Sequence, residues 1–274
     1  MSGVEWGHLG WLVLTALVVA ALAMAVTAAW SRRLRRVAVV DVAWGATFAA
    51  VAVVGGVVAG LLGDGSAWRR WLLVALVVVW GVRLAWHLRT RVLGSGHDDP
   101  RYEELLGGPY DEVPFSTIVT KVFVLQGVAV VVVSLPVLVG LVTSARWAWV
   151  VGLGVAVWIV GVVFEAVGDA QLAAYRRQPR SSRPPVLDTG LWAWTRHPNY
   201  FGDACVWWGL WLAGGVASGW VAGLVTLPAP LVMTWFLTVV SGARLTDRRM
   251  RGRTGWASYE ARTPMFFPRP PRRS

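Results

Sequence analysis

Charged residues and cysteine are scarce in this chain. Charged residues make up 15% of its 274 residues, and cysteine occurs once, at Cys205, inside an apolar run. A single cysteine cannot form an internal disulfide, and this one has no zinc-type ligand beside it in the sequence. The four histidines are too dispersed to indicate a metal site. We therefore expect neither a disulfide framework nor a bound metal.

Motifs of the common soluble enzymes are also missing. Gly152 and Gly154 fall inside an apolar run without the third glycine of a dinucleotide-binding Gly-x-Gly-x-x-Gly, and there is no phosphate loop. The chain lacks a Gly-x-Ser-x-Gly elbow of the hydrolases and any repeat with a period of about 20 to 50 residues. If the protein is an enzyme, it holds its cofactor without a Rossmann fold.

Apolar residues dominate the sequence. Hydrophobic residues make up 56% of the chain, the mean hydropathy is +0.55 and there are 19 tryptophans, which is typical of a polytopic membrane protein. About 20 apolar residues cross a bilayer as a helix. The first run is predicted to be an uncleaved span, because Glu5 and no basic residue precedes it. The pattern predicts an all-α bundle of about seven spans, at residues 9–29, 37–62, 71–88, 117–142, 147–168, 200–218 and 221–241.

The formal net charge of +11 indicates membrane topology rather than nucleic-acid binding. Basic residues crowd the connections after the first, third and fifth runs and the C-terminal tail, whereas the opposite side has only Arg69, Arg70 and Arg146. The positive-inside rule places the amino terminus outside and the carboxyl terminus in the cytoplasm. Because no linker divides the chain, we expect one transmembrane domain over residues 1–274, in a bacterial cytoplasmic membrane.

Polar side chains within the runs all fall in the predicted cytoplasmic half. Ionisable residues are costly in a membrane and usually face a bundle interior or a water-filled cavity. The alternative is a set of separate interfacial residues, but snorkelling would scatter them over both leaflets and would not favour Asp and Glu. We predict a polar cavity open to the cytoplasm, bordered by Asp41, Arg83, His87, Gln126, Glu165, Asp169 and Asp203.

The stretch "TRHPNYFGD" concentrates polar residues at the start of the sixth run. Pro198 suits the first turn of a helix, so Arg196 and His197 precede the helix. Asn199, Tyr200 and Asp203 then occupy its first turns. Unpaired backbone N–H groups there, together with Arg196, favour a bound anion. The alternative is that Asp203 only complements the helix dipole and Arg196 snorkels.

Several motifs resemble a known family. The segments "DVAWG", "WGVRLAWHLRTRVLGSGHDDPRY", "FEAVGDAQLAAYRR", "DTGLW", "TRHPNYFGDACVWWG" and "YEARTPMFFPRPP" are similar to those of the membrane family DUF1295, related to the steroid 5-alpha-reductases. The resemblance covers roughly residues 37–270. It implies a seven-helix bundle whose cytoplasmic cavity holds NADPH, which reduces a carbon–carbon double bond conjugated to a ketone in a steroid-like or other lipidic substrate taken from the bilayer.

The resemblance also implies roles for individual residues. An Asp and an Arg seven residues later contact the dinucleotide in the reductases, and Asp169 and Arg176 match that spacing. Their Asn-Tyr step with a later acidic residue matches Asn199, Tyr200 and Asp203, although glutamate is usual at the last position. Glu165 replaces an Asn. The cofactor-binding set implied by the resemblance is Glu165, Asp169, Arg176, Arg183, Arg196, His197, Asn199, Tyr200, Asp203 and Tyr259, and the nearest equivalents of the ketone-binding pair are Asp41 and His87.

The chemistry of such a reaction agrees with these residue types. The phosphates of NADPH need arginines that can donate in pairs, and the fifth connection supplies them. Hydride transfer to an enone builds negative charge on the ketone oxygen, which a donor must stabilise. A neutral Asp41 or a protonated His87 is the expected donor.

Two other functions stay open. Membrane methyltransferases of the isoprenylcysteine type share a His-Pro-x-Tyr element and use S-adenosylmethionine. They commonly carry two adjacent acidic residues after the last span, where this chain has only Asp247 in "RLTDRRM". A non-catalytic lipid-binding protein with the same fold is the third reading.

Overall fold

The computed structural model describes residues 6–63, 65–94, 98–240 and 242–271. Within these ranges the chain is helical without a β-strand, which confirms the all-α prediction. Among the described residues, three π-helical stretches continue α5, α8 and α10, at Val119–Val124, Trp211–Gly215 and Phe236–Val240. The α-helices are α1 (Trp6–Leu34), α2 (Val39–Leu62), α3 (Ala67–Gly94), α4 (Pro100–Leu106), α5 (Phe115–Ile118), α6 (Leu125–Val142), α7 (Ala148–Arg177), α8 (Pro198–Leu210), α9 (Trp220–Thr226), α10 (Pro228–Trp235), α11 (Ala243–Met250) and α12 (Trp256–Arg262).

The chain is an integral membrane protein. In the described ranges, six helical segments are long and apolar enough to cross a bilayer: Gly7–Leu34, Val39–Leu62, Ala67–Val92, Phe115–Val142, Ala148–Arg177 and Trp220–Met250. The predicted run 200–218 is not among them. It is helical, but it contains Asp203 and passes from α8 through the π-helical stretch into a 3-10 turn, Val216–Ser218. The orientation of the termini stays a prediction.

The helices form two compact units. In the described ranges, the first unit comprises residues 6–63, 65–94, 98–152 and 210–229, and the second comprises 153–209, 230–240 and 242–271. The expectation of one transmembrane domain stays a prediction. Each unit is described by itself below.

In the first unit, α2 and α3 approach closely where both lack a side chain. A Cβ placed on Gly45 would lie 2.4 Å from the carbonyl oxygen of Gly81, so neither position accepts even alanine without a shift. Phe48 and Trp80 pack edge to face on this contact, with ring centroids 5.6 Å apart. Small residues at helix interfaces serve the same purpose in many membrane proteins.

Arg69, at the start of α3, is the centre of a hydrogen-bond network in the first unit. Its side chain is fully buried, and its Nη2 donates to the Thr143 Oγ1 at 2.6 Å and to the Ser218 Oγ at 2.9 Å. The carbonyl oxygens of Thr143 and Gly140 accept at 2.9 and 3.1 Å. One arginine thus joins the start of α3 to the end of α6 and to the turn that contains Ser218.

Candidate functional site

Helices α7 and α8 of the second unit lie antiparallel and in direct backbone contact. A Cβ on Gly202 would stand 2.5 Å from the carbonyl oxygen of Gly161, and one on Gly209 would stand 2.6 Å from that of Gly154. Gly168 meets Pro198 at the start of α8. Because the glycines recur every seven residues on both helices, the contact runs along one face of each. It holds the first turn of α8 against the C-terminal half of α7.

The close contact brings predicted site residues together. Asn199 donates from Nδ2 to the Asp169 Oδ1 at 3.2 Å, and its Oδ1 accepts from the backbone N–H of Tyr200 at 3.1 Å. Glu165, Asp169 and Asp203 are all buried, with 3%, 6% and 8% of their surface exposed. The buried carboxylates predicted on the fifth and sixth runs therefore lie on two helices in contact.

Arg196 is held by a carboxylate and by two carbonyl groups of the second unit. Its Nε and Nη2 both donate to the Asp247 Oδ2, at 3.2 and 2.7 Å. Its Nη1 donates to the carbonyl oxygens of Thr263 and Glu260, at 2.7 and 3.0 Å. Only 9% of Arg196 is exposed, and the partners of its guanidinium lie on α11 and at the end of α12. Arg196 therefore braces the second unit, and its role in binding an anion stays a prediction.

His197 shares the same carboxylate. Its Nε2 lies 2.8 Å from the Asp247 Oδ1, and only 2% of the residue is exposed. The imidazole stacks on the ring of Tyr200 at a centroid distance of 5.3 Å and an interplanar angle of 6°. We call Arg196, His197, Tyr200 and Asp247 the Asp247 cluster. Two oxygens of one buried acid thus orient both residues that precede α8.

Residues of α12 and of the C-terminal tail form hydrogen bonds with the segment that precedes α8. The backbone N–H of Arg196 donates to Pro264 at 2.9 Å, and the N–H of Arg269 donates to Trp194 at 2.9 Å. Tyr259 donates from its hydroxyl to the Trp192 carbonyl at 2.6 Å. Burial raises the pKa of the Tyr259 phenol above its ordinary value, so it stays a donor at physiological pH. Tyr259 thereby fastens α12 to the turn before α8.

Exposed arginines surround the connection after α7. Arg176, Arg177 and Arg180 are exposed, and Arg183 is half-buried. The Arg183 guanidinium lies over the ring of Tyr175 at 5.2 Å and donates to the Arg176 carbonyl at 3.3 Å. The structure thus presents a basic surface on the second unit, as the sequence predicts for binding phosphate.

Asp41 lies in the first unit and acts as an acceptor. Its Oδ2 accepts from Arg101 Nη2 at 2.8 Å, and its Oδ1 accepts from the Tyr102 hydroxyl at 2.5 Å. Burial, and then the charge of Asp41, raises the pKa of Tyr102 well above its ordinary value. His87 is half-buried on α3, and its carbonyl accepts from the Thr90 hydroxyl. Both carboxylate oxygens of Asp41 therefore bind residues of α4, and its role as a proton donor stays a prediction.

Residues around α4 form further ion pairs and hydrogen bonds next to those of Asp41. Asp99 caps the helix by accepting from the Arg101 N–H at 3.0 Å, and its Oδ2 lies 2.9 Å from both Arg91 and Arg101. Burial opposes ionisation of Asp99, but Arg101 and Arg91 hold the pKa of its carboxyl below its usual value. Asp98 accepts from the N–H groups of Val37 and Ala38 at 2.6 and 2.9 Å. This connection is therefore tied to the start of α2.

Sequence reasoning missed Asp247, Arg101 and Tyr102. The segment "DDPRY" carried a local signal for α4, namely an Asp before a Pro at the first helical position. Asp247 carried only the weak signal of one acid among the arginines of "RLTDRRM". In each case the partner lies about 50 to 60 residues away along the chain, where no local pattern points.

The comparisons with known proteins give one match. The family model described as "Protein of unknown function (DUF1295)" matches residues 9–263, nearly the whole chain. No curated protein and no solved structure matches.

Proposed function

The chain belongs to the DUF1295 family, and we propose that it is an NADPH-dependent membrane reductase of a conjugated carbon–carbon double bond in a steroid-like or other lipidic substrate. The observation that carries the proposal is the hydrogen bond between Asp169 and Asn199. It joins the C-terminal half of α7 to the first turn of α8, and the exposed arginines in the last turn of α7 and just after it follow Asp169 in the chain.

The residues of the second unit suit this cofactor. Carboxylates and an amide can hydrogen-bond the hydroxyls of its riboses, and the proposed residues for that role are Glu165, Asp169, Asn199 and Asp203. Arginines can donate in pairs to phosphate oxygens, and Arg176 and Arg183 are proposed for the phosphates. When bound, NADPH supplies the hydride.

The remaining predicted residues act as supports in this proposal. Arg196 and His197 are held by Asp247, and Tyr259 by Trp192. Tyr200 lies in the first turn of α8 and stacks on His197. Because a site must be rigid to select one geometry, the Asp247 cluster contributes by fixing the start of α8.

The donor to the substrate stays a prediction from the sequence, made for Asp41 and His87. A donor must stabilise the negative charge that develops on a ketone oxygen. Asp41 already accepts two hydrogen bonds. His87 is therefore the better donor of the two residues proposed from the sequence. A lipidic substrate is proposed because the chain is an integral membrane protein with long apolar helices.

Thermal stabilisation of the purified chain tests the cofactor. At a concentration about 100 times its Kd, a ligand that binds only the folded state adds about 2.7 kcal/mol to the free energy of unfolding. We expect NADPH to raise the melting temperature more than NADH or S-adenosylmethionine does. Arg176→Ala and Asn199→Ala should each weaken this response, whereas Arg89→Ala, an exposed arginine of the first unit, should not.

The same measurement separates the alternatives. One observation favours a methyltransferase: Arg196 is committed to Asp247, so one cation fewer is available for a polyanionic cofactor. Stabilisation by S-adenosylmethionine alone would exclude the reductase. No response to either cofactor, with a folded chain, would favour the non-catalytic lipid-binding protein.

A further inference from the structure

An apolar groove of about 320 Å³ runs between α1 and the segment Val119–Val131 in the first unit. The groove has room because the residues of α1 that line it are mostly alanines and Gly127 on the facing segment has no side chain. Met24, Ala28 and Phe123 are buried at its floor, whereas Val124 and Val128 are exposed at its edge. A Cβ on Gly127 would be 3.4 Å from the Met24 Cγ, so a longer side chain there would extend into the groove. Its α1 wall includes Ala20, Ala21, Ala25 and Ala28.

Two cations border one end of the groove. Arg32 follows Ala28 by four residues on α1, which places it on the same face one turn further. It is exposed, and its guanidinium lies over the ring of Phe115 at 5.3 Å. Lys121, the single lysine of the chain, is exposed one turn before Val124. The neighbouring Arg35 is neutralised by an ion pair with Asp111.

The residues that line the groove are all apolar. A hydrocarbon chain, which is thinner than an α-helix of about 10 Å diameter, can lie along such a lining. Lipid tails are as apolar as the lining, so the groove alone gives little preference for one lipid over another. Selection must come from the cations, because basic residues near the membrane surface attract anionic headgroups.

We propose that this groove binds one acyl chain of an anionic phospholipid, with its phosphate held by Arg32 and Lys121. The proposal does not depend on the reductase activity, since it rests on the first unit alone. The charge at the mouth selects the headgroup, and the alanines and Gly127 leave room for the chain.

Native mass spectrometry of the full chain in a nonionic detergent tests the proposal. The probes are phosphatidylglycerol and phosphatidylcholine with identical acyl chains. We expect the protein to retain phosphatidylglycerol preferentially. Arg32→Ala should weaken that retention about fivefold, which is the expected effect of one basic residue near a headgroup. Gly127→Leu should abolish retention of one bound lipid by filling the groove.

Two matched variants serve as controls. Arg89→Ala removes another exposed arginine that lies over an aromatic ring, Trp86, at 5.7 Å. Gly152→Leu adds the same side chain to a spanning helix at an exposed glycine with no atom within 4 Å. Both should retain lipid as the unmodified chain does, and melting curves establish that every variant is folded.

Three outcomes would overturn the proposal. The first is equal retention of the two lipids by the unmodified chain. The second is unchanged retention in folded Gly127→Leu. The third is a dimer that Gly127→Leu dissociates and Arg32→Ala leaves intact, which would assign the groove to a second copy of the chain. If Gly127→Leu fails to fold, Ala25→Leu on the opposite wall replaces it.

Discussion

Arg196 and Asp247 lie 51 residues apart in the chain and form a buried ion pair, with Nη2 2.7 Å from Oδ2. The same carboxylate accepts from Arg196 Nε and lies 2.8 Å from the His197 imidazole. Helix α11 is thereby joined to the start of α8. A buried pair of this kind is costly to break, because removing one partner leaves the other charge uncompensated.

Asp247→Ala should reduce the free energy of unfolding in detergent by about 3–5 kcal/mol. The double variant Arg196→Met, Asp247→Leu removes both charges and should recover most of that loss. The pair of Arg251, which is exposed, and Glu260, 3.7 Å apart, supplies the control. Arg251→Ala should cost about 1 kcal/mol or less. A single variant as stable as the unmodified chain would contradict the bracing role.

Gly202→Ala should separate α7 from α8. The added methyl group would stand 2.5 Å from the Gly161 carbonyl oxygen and from the backbone nitrogen of Glu165, which cannot move away without shifting the helix. Overpacking of this kind costs about 1–3 kcal/mol or more. Gly152→Ala, with open space around it, is the matched control and should be neutral or slightly stabilising. Thermal unfolding distinguishes the two, and equal melting temperatures would argue against the contact.

Asp98→Ala should destabilise the start of α2. The carboxylate accepts from two consecutive backbone N–H groups, those of Val37 and Ala38, which have no partner in the first turn. Loss of such a cap costs about 1 kcal/mol, with a range of about 0.5–2. Hydrogen exchange of the first turn of α2 should accelerate. Asp111→Ala, which breaks an exposed pair with Arg35, should leave that exchange unchanged.

Tyr259 should contribute to the pH dependence of stability in the alkaline range. Its folded pKa is raised, so its contribution is complete below the unfolded value of about 10 and is lost as the pH rises above it. The slope is at most about 1.4 kcal/mol per pH unit for one proton.

Tyr259→Phe should therefore lower stability at pH 8 by about 1–3 kcal/mol, because the partly buried Trp192 carbonyl loses its donor. The difference from the unmodified chain should narrow above pH 10. Tyr175→Phe removes an exposed hydrogen bond of the same 2.6 Å length and should have a smaller effect at pH 8. Parallel unfolding curves for Tyr259→Phe and the unmodified chain from pH 8 to 11 would argue against this assignment.

Much of the architecture follows from local sequence pattern. Long apolar runs predict spanning helices because a helix satisfies its backbone hydrogen bonds within one segment. Six runs agree with spanning segments of the structure. The run 200–218 does not, since it divides into α8, whose Gly202 lies against α7, and irregular turns, whose Gly214 lies against Pro136 of α6.

The candidate site was only partly predictable. Burial of Glu165, Asp169 and Asp203 could be expected from the sequence, because ionisable residues in an apolar helix usually face the interior of the bundle. The glycines at seven-residue intervals on α7 and α8 were also visible in the sequence. Which helix these glycines contact depends on how the helices pack and on their relative direction, which a single sequence does not specify.

By itself, the sequence determined that this is an all-α integral membrane protein with buried acids on α7 and α8. Hydropathy and helical period act over one segment, so they can be read from it. Only the tertiary structure decided the partners of the charges. Arg196 binds Asp247, and Asp41 accepts hydrogen bonds from Arg101 and Tyr102. A charge removed from water needs a partner of good geometry, and the folded chain can supply that partner from any distance along the sequence.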